Sequence, residues 1–284
     1  MQLWNLAGAP RLTRTFVGLQ AIGKTLPEAV QSVAFSPDGR LLAASDETET
    51  PPQPALGPGT RQADLAIWRA STGSLVAERV ALGPVFFRPG GSNILAFARD
   101  GKLLAASQSA QGGAAQVLDP FTLQTSQALP PLGGNTVSLA FAPDGTLATG
   151  TSGGTVQLWN PTSGDQTARA LVAALTPITS IAFDATGQQF ATTSAQDGEV
   201  KLWFTSTLQQ EGATLNTEKG ATSTVAFEPN GGNLLAVDDH GNAFTWPTSA
   251  AAWEQRACAI AGRNLTREEW SRYVPGQAYT RVCP

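Results

Sequence analysis

Leu139-Ala140-Phe141-Ala142-Pro143-Asp144-Gly145, with Val156-Gln157-Leu158-Trp159 behind it, is the stretch on which the fold turns. Pro presets a negative φ at the first central position of a turn, Asp suits the next, and Gly accepts the positive φ of a hairpin bulge. The segment therefore reads as strand, tight turn, strand. Four further copies occur: Ser32-Val33-Ala34-Phe35-Ser36-Pro37-Asp38-Gly39, Leu95-Ala96-Phe97-Ala98-Arg99-Asp100-Gly101, Ile181-Ala182-Phe183-Asp184-Ala185-Thr186-Gly187 and Val225-Ala226-Phe227-Glu228-Pro229-Asn230-Gly231. An aliphatic second strand follows, such as Leu41-Leu42-Ala43-Ala44-Ser45 or Phe190-Ala191-Thr192-Thr193-Ser194.

A third strand ends in Trp: Leu65-Ala66-Ile67-Trp68, Val156-Gln157-Leu158-Trp159, Val200-Lys201-Leu202-Trp203 and Ala243-Phe244-Thr245-Trp246, with Gln116-Val117-Leu118-Asp119 in the remaining copy. The Phe positions are spaced by 62, 44, 42 and 44 residues, and the last two Trp spacings are 44 and 43. A period near 44 with four strands per unit indicates an all-β chain built as a β-propeller. Trp4 completes a set of five tryptophans at the repeat position, out of seven in the chain, and these are expected to pack between blades rather than to form a stacking platform for a ligand.

The composition agrees with stacked blades. Only 14% of the 284 residues are charged, against about 25% in ordinary soluble proteins. Gly and Pro number 29 and 19. Strands buried on both faces read as apolar runs, and charge retreats to turns and outer strands. With 42% hydrophobic residues and a net charge of −4, the chain is not of the disordered class. Eighteen basic against 22 acidic residues provide no stripe for nucleic acid, so none is expected as a partner. No run approaches 18 apolar residues, and Met1-Gln2-Leu3-Trp4-Asn5 has neither region of a signal peptide, so no membrane partner is expected.

Across residues 1–246 the period and strand order resemble the WD-repeat propeller family, in which Trp-Asp closes the third strand of each blade. The dipeptide is degraded here to Trp68-Arg69, Leu118-Asp119, Trp159-Asn160, Trp203-Phe204 and Trp246-Pro247. The family's hydrogen-bond tetrad needs a His before the first strand. The one His of the chain, His240, aligns with Asp197 in the turn between second and third strands, so the tetrad is expected to be absent.

Met1-Gln2-Leu3-Trp4-Asn5 copies Val156-Gln157-Leu158-Trp159-Asn160, so the repeat opens at a third strand. Two strands there, four full blades and three strands up to Trp246 make 21, where a ring of six blades needs 24. About five to six blades are thus expected, either as a truncated piece of a larger propeller or as a ring closed by other elements, since open edges are sticky. The repeat is interrupted between Ser45 and Leu65: Phe35 to Trp68 spans 33 residues, against 18 to 21 elsewhere. If the family geometry holds, this long loop lies on the rim that most propellers use for partners, with Glu47, Glu49, Arg61 and Asp64 as candidate binding residues. The competing reading is a tolerated insertion, because exposed loops lengthen cheaply. Trp68, Trp159, Trp203, Trp246, Asp38 and Asp144 are read as structural.

Residues 247–284 follow other rules. Ser249 to Ala261 has helical apolar spacing closed by Gly262, and Thr266-x-x-Glu269 is a capping box with Leu265 and Trp270 at the staple positions. A two-helix extension is expected, with Tyr279-Thr280-Arg281-Val282-Cys283 as a candidate final strand on the last blade's edge. Arg263-Asn264-Leu265-Thr266-Arg267-Glu268-Glu269-Trp270 and the closing Tyr279-Thr280-Arg281-Val282-Cys283-Pro284 resemble the terminal segment of bacterial WD-repeat proteins, many of them multidomain signal-transduction ATPases. That resemblance implies a sensing or scaffolding role in the cytoplasm.

Cys258 and Cys283 lack the further ligands a metal needs, and in a bacterial cytoplasm reduced, buried thiols are expected over a bridge. No metal or cofactor is expected. The adjacent carboxylates Asp46-Glu47, Asp238-Asp239 and Glu268-Glu269 make poor acid/base pairs where neighbours on a strand point to opposite faces. His240 has no recognisable Ser or Cys partner. The sequence therefore favours a non-catalytic interaction or sensor propeller that binds proteins through its rim. A hydrolase or lyase with a channel site and a fragment without independent function are the competing readings.

Overall fold

The computed structural model describes residues 2–5, 10–15, 30–49, 61–79, 95–107, 113–130, 132–195, 198–217, 222–229 and 231–283. Among these, 21 strands form six antiparallel sheets, and two helices follow. β1 (Gln2–Asn5) and β2 (Arg11–Thr15) pair alone. Four four-stranded sheets come next: β3 (Val30–Phe35), β4 (Leu41–Glu49), β5 (Arg61–Arg69) and β6 (Leu75–Arg79); β7 (Leu95–Phe97), β8 (Leu104–Ser107), β9 (Ala115–Leu118) and β10 (Thr125–Leu129); β11 (Thr136–Phe141), β12 (Leu147–Thr151), β13 (Thr155–Trp159) and β14 (Leu171–Val172); β15 (Ile178–Phe183), β16 (Gln189–Ser194), β17 (Glu199–Phe204) and β18 (Gln210–Asn216). The last sheet has three strands, β19 (Thr222–Phe227), β20 (Asn233–Asp238) and β21 (Ala243–Pro247). Within every sheet spatial order follows chain order, as in an all-β propeller with a short helical extension.

The alternation of side chains along each strand assigns one set to each neighbouring sheet. On β4, Leu41 and Ala43 join the cluster shared with β7–β9, whereas Leu42 and Ala44 join the one that receives Leu3 from β1. Similar clusters sit between each later pair of sheets, so five apolar cores link the six sheets in sequence. Four of the repeat tryptophans face the preceding sheet: Trp68, Trp159, Trp203 and, partly buried, Trp246. Leu118 occupies that place in the third sheet. The indole N–H of Trp159 donates to Thr149 Oγ1 and that of Trp203 to Thr192 Oγ1, each at 2.9 Å, so the polar edge of a buried ring is satisfied one strand away.

The first strands of neighbouring sheets lie side by side, and four of them bulge at one register: between Val30 and Ser32, Thr136 and Ser138, Ile178 and Ser180, and Thr222 and Thr224. The residue after the bulge serves the next blade. Ser138 Oγ donates to Ile178 O at 2.8 Å, and Val225 N donates to Ser180 Oγ at 3.3 Å. At Gly150, beside this contact, an added Cβ would lie 2.2 Å from Ser138 Oγ and 2.8 Å from Ile178 Cγ2.

Two expectations need correction in the C-terminal segment. α1 (Ala250–Ala261), capped by Ser249, reverses at Gly262 with φ +65°, and α2 (Arg267–Tyr273) starts from Thr266 in a complete capping box. Cys258 and Cys283 are joined in a disulfide, not held as reduced thiols. Residues 277–283 form no strand; they fold back on the helices. Asn264 explains both: its Oδ1 accepts from Val282 N and Cys283 N, and its Nδ2 donates to Cys283 O. One side chain thus occupies backbone groups that a sheet edge would have needed, and it delivers Cys283 to α1. Trp270, buried under Tyr279 in an edge-on contact at 5.8 Å, donates to Gln277 O, and Tyr279 donates to Leu265 O.

Candidate functional site

Antiparallel pairing sends the first-to-second-strand turns to one end of the sheets and the second-to-third connections to the other. At the first end the five Gly-containing turns share one geometry. The N–H groups of Gly39, Gly101, Gly145, Gly187 and Gly231 donate to the carbonyl three residues back, at 2.8–3.2 Å, and every one of these glycines has positive φ. Asp38, Asp100 and Asp144 accept from the backbone two residues on, at 2.8–3.0 Å. The Ser36 hydroxyl, then the Arg40 N–H, hold the Asp38 carboxyl below the usual carboxylate range.

The repeat phenylalanines stand at the lip of this end. Phe97, Phe141, Phe183 and Phe227 are half-buried, each with part of the ring in the core shared with the preceding sheet, and Phe35 is 48% exposed. Phe97, Phe141 and Phe183 line a cavity of about 260 Å³ with Pro37, Arg99 and Asp184. Arg99 also borders a second depression of about 350 Å³ between the third and fourth sheets. Along the sequence these phenylalanines mark the period alone. Their strand-end position, directly before the turn, was the signal that they sit at a mouth.

At the other end the interrupted repeat takes an unexpected form. The stretch after Ser45 is not all loop: β4 and β5 stay paired past the blade, with Asp46 opposite Asp64, Glu47 opposite Ala63, Thr48 opposite Gln62 and Glu49 opposite Arg61. Glu47, Glu49, Arg61 and Asp64 therefore lie on a two-stranded ribbon, because β propensity and cross-strand pairing continue where only the repeat stops. Residues 50–60, the rest of the expected loop, lie outside the described residues.

One group of metal-ligating type occurs among the described residues, Asp238, Asp239 and His240, in the turn between β20 and β21. Asp238 is buried, and its oxygens serve the turn: they accept from the Asn242 side-chain amide, Asn242 N and His240 N at 2.8–2.9 Å. These bonds, that of the Asn242 side chain first, lower its pKa. His240 Nδ1 lies 2.8 Å from Asp239 Oδ1 at the surface. The arrangement is a capped turn that fixes the start of β21.

Residues 21–48, 130–160 and 166–203 match the family model for the WD domain, G-beta repeat. These three segments are similar to WD40 repeats. No curated protein matches it. The three matched segments fall on β3–β4, on β11–β13 and on β14–β17, and so take in three of the five Phe turns, those at Phe35, Phe141 and Phe183. WD40 repeats generally mediate protein interactions and are typically non-catalytic. No helix among the described residues is long and apolar enough to cross a membrane.

Proposed function

We propose that the chain is a non-catalytic interaction scaffold or sensor within a larger bacterial signalling assembly, with its helical extension (247–284) as a unit distinct from the WD40 propeller (1–246). A protein partner docks on the rim that carries the β4–β5 ribbon, through Glu47, Glu49, Arg61 and Asp64. The observation that carries this reading is the pairing of Asp46–Glu49 with Arg61–Asp64 beyond the blade. Five of those eight residues are charged, against 14% of the whole chain, and their net charge is −3. Charge kept on a paired, preorganised element suits recognition of a basic protein surface, by steering and by register. Nucleic acid, being anionic, is repelled by the same ribbon.

Charge reversal tests the proposal. In cross-linking of the full chain in its host, the Glu47→Lys/Glu49→Lys/Asp64→Lys variant is expected to lose cross-links made by the ribbon while its circular dichroism stays unchanged. Retained cross-links in a folded variant refute the ribbon as the contact. The resemblance of the terminal segment supports a cytoplasmic setting, whereas a disulfide persists chiefly in oxidising compartments. Thiol trapping in intact cells separates the two: a blocked Cys258–Cys283 pair requires an oxidising location.

A further inference from the structure

We infer that the phenylalanine-lined mouth at the opposite end from the ribbon is a second docking site, which takes an acidic peptide segment of a protein partner, an apolar side chain next to a carboxylate, with Arg99 as the anion-recognising group. The inference rests on the interaction-scaffold reading for its class of partner but uses none of the ribbon.

The position of Arg99 is the starting point. In the five equivalent turns this place is held by Pro37, Arg99, Pro143, Ala185 and Pro229. Turn formation asks for a residue with φ near that of Pro, and nothing in the turn requires a cation there. The turn around Arg99 closes through Gly101 N to Ala98 O at 2.8 Å and Ala98 N to Leu103 O at 2.9 Å, both main-chain bonds. The guanidinium is thus free of any turn duty.

Asp100 and Asp144 line the depression that Arg99 also borders, but neither forms an ion pair with it. The nearby cations have partners of their own, Arg40 of the first such turn in Asp38 at 3.5 Å and Lys102, in the same turn as Arg99, in Asp100 at 3.9 Å. No ion pair or hydrogen bond holds the Arg99 side chain among the described residues. The one acidic residue that lines the same cavity, Asp184, accepts from Gln189 N at 3.0 Å and from the Thr186 hydroxyl at 2.5 Å, so its oxygens are committed to its own turn. An exposed Arg beside three half-buried Phe rings combines residue types that are enriched at protein interfaces. The cavity, about 260 Å³, lies below the size of a drug-sized ligand site and suits one or two side chains. Apolar walls receive the side chain, and Arg99 receives the carboxylate in a charge-assisted pair.

The test uses the full chain labelled with ¹⁵N and two probe peptides, one of alternating leucine and aspartate and one with asparagine in place of aspartate. Saturable shifts of the Gly101 and Gly145 amides with the acidic peptide are expected, with at least tenfold weaker binding for the asparagine peptide. Arg99→Pro restores the residue that three other turns carry and so keeps the fold; it is expected to cost the acidic peptide at least tenfold. Arg99→Gln, at an exposed position, carries the same test should the proline variant misfold. Equal binding of both peptides, unchanged affinity in the variants, or absence of shifts at these amides at millimolar peptide overturns the inference. Tighter binding of a thymidine oligonucleotide at the same amides overturns it too, in favour of nucleic acid. Any of these failures leaves the ribbon contact standing, since the Glu47/Glu49/Asp64 cross-links are read separately.

Discussion

Removal of the Cys258–Cys283 bridge, by a Cys258→Ser/Cys283→Ser double variant or by reduction, should loosen the C-terminal extension and leave the sheets intact. The bridge closes a loop with a sequence separation of 25, for which loop-closure entropy gives about 3.5 kcal/mol at 25 °C. The loss is confined because none of the five apolar cores between sheets contains a residue from the extension. Without the bridge, residues 277–283 hold to the helices through Asn264, the Trp270 indole and the Tyr279 hydroxyl. Hydrogen exchange with mass spectrometry on the full chain reads the effect directly. If the loop entropy is expressed in full, Val282, Cys283 and the α2 amides bonded to Thr266 O and Trp270 O should exchange a few hundredfold faster, and the amides of β12 and β16 should not change. Equal protection of residues 264–283 with and without the bridge would show that Asn264 and the aromatic contacts suffice. Faster exchange throughout the sheets would show that the extension supports the propeller, against the confinement argued here.

Gly150→Ala should destabilise the chain by about 1–3 kcal/mol, because its Cβ would press on Ser138 Oγ and Ile178 where two blades meet; thermal unfolding measures it, and an unchanged midpoint would mean that the blades separate without cost. Trp159→Phe should cost about 1–3 kcal/mol by leaving Thr149 without its indole partner and a gap between the third and fourth sheets, whereas Leu118→Trp in the third sheet should be tolerated less well than its repeat position suggests, since Leu118 is fully buried. Acid should weaken the start of α2: Arg263, in a two-pronged pair at 2.7 and 2.8 Å, and then Thr266 N hold the Glu269 carboxyl down at about 2 from an ordinary 4.5. A depressed carboxyl pKa contributes stability that is present in full above pH 4.5 and lost as pH falls towards 2, so exchange at Glu269 and Trp270 amides should accelerate in that window and Glu269→Gln should remove the pH dependence.

Much of the fold was legible along the chain because its determinants are local. A turn of Pro, Asp and Gly needs only four residues to form, and period-two burial needs only the strand itself, so the count of two, sixteen and three strands could be written down from the Phe and Trp positions. The Ser or Thr three places before four of the five phenylalanines, Ser32, Ser138, Ser180 and Thr224, is equally visible, yet the bonds that Ser138 and Ser180 make to the next blade appear only when blades are stacked. The candidate site was less legible. Glu47, Glu49, Arg61 and Asp64 are expected in a loop yet lie on paired strands, because a break in a repeat does not reveal whether strands keep pairing through it.

The sequence by itself determined the repeat, the turns, both helix caps and the apolar faces, all of which depend on contacts within a few residues. Tertiary structure alone decided the pairing of Cys258 with Cys283, the return of residues 277–283 onto α1 and α2, and the convergence of Phe97, Phe141 and Phe183 around Arg99. Each of those joins residues from separate elements, and only the burial of two faces of every sheet at once fixes where such elements meet.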